Sequence, residues 1–175
     1  MLSPLAAVNT QSGDGPRHMA FHPNGKFAYV VNEISSTVIA YAYSTTDGSL
    51  TELMRTTSLP QGFSGTSTGA EIVVDPSGRF LFASNRFTGA NGDIVAFGIN
   101  AADGRISLIG HQSTGGRTPR SFSIDPTGRF LLVGNQGSNT VAVLAIDMTT
   151  GQPGAAKTTD IGVAPYFVGA APFTE

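Results

Sequence analysis

Residues 17–33 read RHMAFHPNGKFAYVVNE, residues 70–86 read AEIVVDPSGRFLFASNR, and residues 120–136 read RSFSIDPTGRFLLVGNQ. The three stretches align without a gap. Pro23, Pro76 and Pro126 share one column, 53 and then 50 residues apart. Further columns hold Gly25, Gly78 and Gly128, then Phe27, Phe80 and Phe130, then Asn32, Asn85 and Asn135. A period of about 50 residues is the length of one propeller blade.

Each copy has one internal plan. A short apolar strand (Met19–Phe21 in the first copy) meets a Pro-x-Gly turn, and a second strand (Phe27–Val31) runs back. Proline presets φ for such a turn and glycine supplies the positive φ that closes it. A third run follows at 37–43, 94–99 and 140–146. It ends at Asp47-Gly48, Asp103-Gly104 or Thr150-Gly151, which read as hairpin turns. A more polar fourth strand, 50–58 or 105–112, completes the unit. Four antiparallel strands per period without helical periodicity predict an all-β fold of propeller blades. The blades span about 15–62, 68–115 and 118–160, and residues 164–168 resemble the first strand of a fourth. Three and a fraction blades do not close a ring of four to eight. The end blades should therefore expose apolar lateral faces, and a fragment is the favoured reading over a half that assembles with a second copy.

The bulk properties fit this plan. Twenty-two glycines and ten prolines in 175 residues suit many short strands joined by tight turns. A formal charge of −2 without a lysine–arginine run argues against nucleic acid or an anionic membrane as partner. The absence of cysteine excludes disulfides, thiolate metal sites and a cysteine nucleophile. No stretch approaches the roughly 18 apolar residues of a spanning helix. Met1–Val8 lacks the basic start and apolar run of a signal peptide, so a cytoplasmic location is expected, with a leader in a missing N-terminal half left open.

The first strand of a propeller blade lines the central channel. Folding the first copy about Asn24-Gly25 sets His18 opposite Asn32, with Glu33 adjacent. The equivalent sets are Glu71 with Asn85 and Arg86, and Ser121 with Asn135 and Gln136; all fall at one mouth of the channel. The turn columns repeat one residue, whereas these columns differ from blade to blade. An asymmetric ligand needs such differences, so the mouth is the expected site. Arg17, Arg86 and Arg120 are suited to clamping a phosphate or carboxylate. His18 is suited to general acid–base work, with Glu71 and Glu33 orienting it or moving the proton themselves. Structural readings stand beside these: Glu71 pairing with Arg86 or Arg120, Arg17 bonding only neighbouring backbone, and the three asparagines bonding loop backbone. His22 falls at a turn where the other copies have Asp75 and Asp125, and reads as a turn cap. His111 falls on an outer strand and reads as solvated.

The words GPRHMAFHPNGKFAYVVNE, AEIVVDPSGRFLFASNR and TGGRTPRSFSIDPTGRFLLVGNQ, in this order from about Gly15 to Val168, resemble the bacterial seven-bladed lactonase family. That family includes propeller-type 6-phosphogluconolactonases and is related to fungal carboxy-muconate cyclases. The resemblance implies the C-terminal half of a seven-bladed ring, with Ala164–Val168 as the strand that closes the first blade. It implies catalytic roles for His18, Glu71 and Arg86, and substrate contacts from Arg120 and Glu33 beside Arg17. The implied reaction is hydrolysis of 6-phosphoglucono-δ-lactone to 6-phosphogluconate in the pentose phosphate pathway, without metal or organic cofactor. A cyclase or another lactonase acting on a carboxylated lactone is the alternative, since the same arginines would grip either anion. A non-catalytic truncated propeller or interaction module is the third reading. On the fragment reading, little activity is expected of the isolated monomer, because the blades opposite the site are missing.

Overall fold

The computed structural model describes residues 7–171; most of the Met1–Val8 stretch lies outside them. Twelve strands form three separate four-stranded antiparallel sheets, each meandering in chain order. The first holds β1 (Pro16–Phe21), β2 (Phe27–Asn32), β3 (Thr37–Tyr43) and β4 (Leu50–Thr57). The second holds β5 (Ser67–Val74), β6 (Phe80–Phe87), β7 (Asp93–Ile99) and β8 (Ile106–Ser113). The third holds β9 (Pro119–Ile124), β10 (Phe130–Asn135), β11 (Thr140–Ala145) and β12 (Lys157–Asp160). These are propeller blades, as the repeat predicts. β1 begins at Pro16, earlier than expected, and so draws Arg17 and His18 into the sheet.

The alternation of side chains along each strand explains how the blades stack. From β2, Phe27, Tyr29 and Val31 face the second blade, meeting Ile72, Leu81, Ala83, Val95 and Phe97. From β6, Phe80 and Phe82 face the other way and meet Phe122, Leu131, Val133 and Leu144 of the third blade. The middle strands of the second blade are therefore covered on both faces and read as unbroken apolar runs.

The repeated turns are capped locally. Asp125 accepts hydrogen bonds from the backbone N–H of Thr127, Arg129 and Phe130 at 3.1, 2.8 and 2.7 Å. Asp75 does the same for Ser77 and Phe80 at 3.0 and 2.7 Å. In the first blade His22 Nδ1 accepts from Asn24 N–H at 3.0 Å, and its Nε2 donates across to Gly78 O at 2.8 Å. His22 is a turn cap and also a link between blades.

The phenylalanine column has a partner that single copies do not reveal. Phe27 lies on the Asp103-Gly104 turn of the next blade, so close that a Cβ on Gly104 would sit 2.4 Å from the ring. Phe80 meets Gly151 of the third blade in the same way, also at 2.4 Å. Phe130, in the blade with no described successor, is 41 % exposed. Met19 and Phe21 on the first blade and Val143 on the third are also exposed. Apolar end faces were expected, and the described residues leave them uncovered.

Ala164–Val168 forms no strand. The segment instead crosses the third blade, where Val168 N–H reaches Ser121 Oγ at 3.4 Å and Pro165 and Val168 lie against Gly134. A strand needs a neighbour for its hydrogen bonds. Pro165 and Val168 pack over β9 and β10 instead of pairing with a strand.

Candidate active site

A one-residue bulge interrupts the pairing of first and second strands in every blade. Pro16 pairs with Asn32 but His18 with Val31, which leaves Arg17 as the extra residue. Pro119 pairs with Asn135 but Ser121 with Gly134, which leaves Arg120. In the second blade the shift falls between Gly69 and Ile72, at Ala70 and Glu71. His18 is thus opposite Val31, and Ser121 opposite Gly134, one residue off the expected pairing with Asn32 and Asn135. A simple fold about the turn has no means of showing the extra residue. Bulges re-aim side chains, and these set Arg17, Glu71 and Arg120 at the mouth.

The asparagine column closes each strand end from inside. Asn85 Nδ2 donates to Ser58 O at 2.6 Å and Asp93 Oδ1 at 2.9 Å; Asn135 Nδ2 donates to Thr114 O at 3.2 Å. Asn32 Nδ2 donates to Thr37 Oγ1 at 2.8 Å. All three are fully buried, which agrees with a structural role.

Same-column residues of neighbouring blades meet across the mouth. His18 Nδ1 lies 2.6 Å from Glu71 Oε1, which also accepts Ile72 N–H at 3.2 Å. Glu71 is held further by its own N–H on Ser84 Oγ at 3.0 Å. Arg17 Nη1 donates to Ala70 O at 2.6 Å and is 3.3 and 3.2 Å from His18 Nδ1 and Nε2. One atom equidistant from both ring nitrogens stands over the ring face, not along either in-plane lone pair. Nη1 therefore stands over the imidazole face, and the His18 side chain is 42 % exposed.

Glu33 joins two arginines. Arg86 Nη2 donates to Glu33 Oε1 and to Gly69 O, the latter at 3.1 Å. Arg17 Nε is 3.8 Å from Glu33 Oε2. The Arg86 hydrogen bond, with the charges of Arg86, Arg17 and Arg120, holds the Glu33 carboxyl below the usual carboxylate range against the opposing effect of burial. Burial, reinforced by repulsion from Arg86 and Arg120, pushes Arg17 below the usual guanidinium value. Arg86 Nε is buried without a hydrogen-bond partner.

Five of the six residues singled out from the sequence thus form two connected pairs of contacts: His18 with Glu71, and Arg86 with Glu33, Arg17 touching both. Glu71 pairs with His18, not with Arg86 or Arg120. Arg120 stands apart, its guanidinium 5.8 Å from the centre of the Tyr166 ring.

Two residues differ from their sequence reading. His111 is not solvated: its Nδ1 meets Asp93 Oδ2 at 2.9 Å, and its Nε2 is buried without a partner. Arg117 was overlooked. It lines a cleft of about 450 Å³ with Thr68, Arg86, Thr88, Thr118 and Gly137, between the second and third blades. A signal for it was present: three residues before the bulge, Asp14, Ser67 and Arg117 share a column that also differs from blade to blade. In the first blade that column is structural, since Arg55 Nη1 donates to the buried Asp14 Oδ2 at 2.6 Å. Among the described residues no His, Asp and Glu side chains cluster as a metal site, and no helix is long and apolar enough to cross a membrane.

Comparison with known proteins gives consistent results. Residues 1–168 match the family model described as lactonase, 7-bladed beta-propeller. The 6-phosphogluconolactonase of Formosa agariphila is 44 % identical over 147 residues, 83 % of this chain and 40 % of that protein. That of Serratia proteamaculans is 37 % identical over 162 residues, 93 % of this chain and 48 % of the relative. The chain therefore spans under half the length of these relatives. Among solved structures, the periplasmic gluconolactonase of Pseudomonas aeruginosa superposes with a TM-score of 0.83 at 34 % identity, covering 90 % of this chain and 43 % of its own.

Proposed function

Because the chain belongs to the lactonase family of seven-bladed β-propellers, we propose that it supplies a lactone-hydrolysing site, with 6-phosphoglucono-δ-lactone as substrate. The observation that carries this reading is the 2.6 Å contact of His18 Nδ1 with Glu71 Oε1 on an imidazole side chain that is 42 % exposed. Glu71 accepts a hydrogen bond from Nδ1–H, which fixes the tautomer and leaves Nε2 as the base. Nε2 takes a proton from water as the water oxygen bonds to the lactone carbonyl carbon. The carbonyl electrons move onto oxygen, and a cation nearby stabilises that charge. Arg17, whose Nη1 lies over the His18 ring, is the arginine nearest this step. When the intermediate collapses, the ring C–O bond breaks and the ring oxygen takes the proton back from Nε2. The product is an open hydroxy acid, and no redox partner is required.

The other residues hold the substrate. Glu33 pins Arg17 and Arg86 against each other's repulsion and has oxygen lone pairs left for sugar hydroxyls. Arg86 and Arg120 add positive charge at the mouth, where both act on Glu33 and Arg17. The names of the relatives support the lactone class, and the phosphorylated sugar is the finer part of the proposal.

The test is proton release from the lactone, followed at constant pH with spontaneous opening subtracted. His18→Ala lowers kcat about 10²- to 10⁴-fold, the usual contribution of a general base. Glu71→Gln lowers it about ten- to a hundredfold, the value of one charge-assisted hydrogen bond, with little change in KM. Unchanged kcat in both variants refutes the assignment.

A further inference from the structure

The cleft between Arg86 and Arg117 has no role in the ring-opening chemistry. We propose that it is a phosphomonoester subsite, which holds the phosphate of the substrate while its lactone carbonyl lies at His18. This inference rests on the lactonase reading for its substrate, but the subsite itself is testable without turnover.

Position is the first argument. The cleft adjoins the candidate site through Arg86, which contacts Glu33 on one side and lines the cleft on the other. The residues that hold Arg86 do so through Nη2, which donates to Glu33 and Gly69, and its Nη1 has no hydrogen-bond partner among the described residues. A guanidinium that lines the cleft with an unpaired donor is suited to hold an anion there.

Chemistry is the second. The lining carries two guanidinium groups and no carboxylate. Among the described residues Arg117 has no acidic partner; its Nη2 donates to Gly137 O at 3.0 Å. Thr68, Thr88 and Thr118 add three hydroxyls, none of which has a hydrogen-bond partner among the described residues. One guanidinium already saturates a planar carboxylate through two parallel bonds. Two guanidiniums and three hydroxyls on facing walls match the three acceptor oxygens of a phosphoryl group. The volume lies within the range of small-molecule pockets.

Construction is the third. Thr118 has φ of +56°, a left-handed conformation that residues with a Cβ seldom adopt. It is held there by Gln136 N–H on Thr118 O at 2.9 Å and Gly137 N–H on Arg117 O at 3.0 Å. The two loops close this tightly because residue 137 has no side chain; a Cβ there would lie 2.7 Å from Thr118 Oγ1. The strained turn presents Arg117 and Thr118 to the cleft together.

The experiment is titration of the ¹⁵N-labelled chain with inorganic phosphate, with 6-phosphogluconate and with D-gluconate. The expected result is saturable shifts of the Thr88, Gly89 and Gly137 amides with both phosphates and not with gluconate. Arg117→Ala weakens phosphate binding about tenfold or more, the scale of a lost charge-assisted contact. Thr88→Val, which preserves shape, weakens it by a smaller factor. In turnover, Arg117→Ala shifts the ratio of KM values for phosphorylated and unphosphorylated gluconolactone about tenfold. Gluconate shifting the same amides as phosphate, or Arg117→Ala binding phosphate as the native chain does, overturns the subsite. Phosphate binding that depends on Arg117, in a chain whose lactone opening above the spontaneous rate is unchanged by His18→Ala, would retain the subsite and remove the lactonase reading.

Discussion

Gly104→Ala tests the joint between the first two blades. The substitution has two costs. Gly104 has φ of +73°, where a Cβ costs about 1–2 kcal/mol, offset by up to about 1 kcal/mol from the stiffer unfolded chain. The new methyl also lies 2.4, 2.6 and 2.7 Å from Phe27 Cδ1, Cγ and Cε1. Phe27 is buried against the second blade, so its ring has little room to withdraw, and overpacking of this kind costs about 1–3 kcal/mol. A shifted turn also weakens the Tyr29 hydroxyl bond to Gly104 O, 3.1 Å long. The sum is about 3 kcal/mol, or a drop of about 6–12 °C in Tm for a chain of this size. Gly62→Ala is the matched control: φ is +76° and nothing lies within 4 Å of the added Cβ. It should lose only the backbone part, about 1 kcal/mol or less. Thermal and denaturant unfolding followed by circular dichroism measure both. Equal losses in the two variants would refute the claim that the phenylalanine column fastens each blade to the turn of the next.

Two further outcomes follow from the mouth and the outer strand. Glu33 is held below its ordinary range by Arg86, so its ionised form stabilises the fold above the unfolded carboxyl value near 4.5. That contribution is lost as pH falls through the depressed folded value. The Tm difference between the native chain and Glu33→Gln should be constant above about pH 5.5 and shrink toward pH 3; a difference independent of pH contradicts the bridge. His111→Ala leaves the buried Asp93 carboxylate with Asn85 as its remaining side-chain partner, and should cost about 1–3 kcal/mol of stability in urea unfolding. Loss of lactone turnover without loss of stability would instead place His111 in the chemistry.

How much could be read before the structure depended on whether the cause was local. The Pro-x-Gly turns and their Asp75 and Asp125 caps are bonded within a few residues, so the repeat exposed them directly. Placing the differing columns at one mouth also set Glu71 to orient the His18 imidazole, as found, but it put Glu33 on His18 and not on Arg86, its actual partner. The bulges escaped, since the extra residue at Arg17 or Arg120 shows only when the partner strand is counted opposite it. His111 was misjudged because the burial of Asp93 beside it comes from blade stacking, which leaves no mark in the local pattern. Arg117 was missed because the comparison of columns stopped at the strand, although the differing column extended into the preceding loop. Ala164–Val168 has the composition of a strand, but a strand is made by a neighbour's backbone, and here Gly134 and Ser121 offer packing.

The measurement that bears most directly on the account is lactone opening by the chain itself. Proton release from 6-phosphoglucono-δ-lactone is followed at a chain concentration raised until the rate stands above spontaneous opening, beside His18→Ala at the same concentration. The account predicts a rate that rises with chain concentration and falls at least about 10²-fold in His18→Ala. A rate above the spontaneous one that is the same in His18→Ala and the native chain contradicts it.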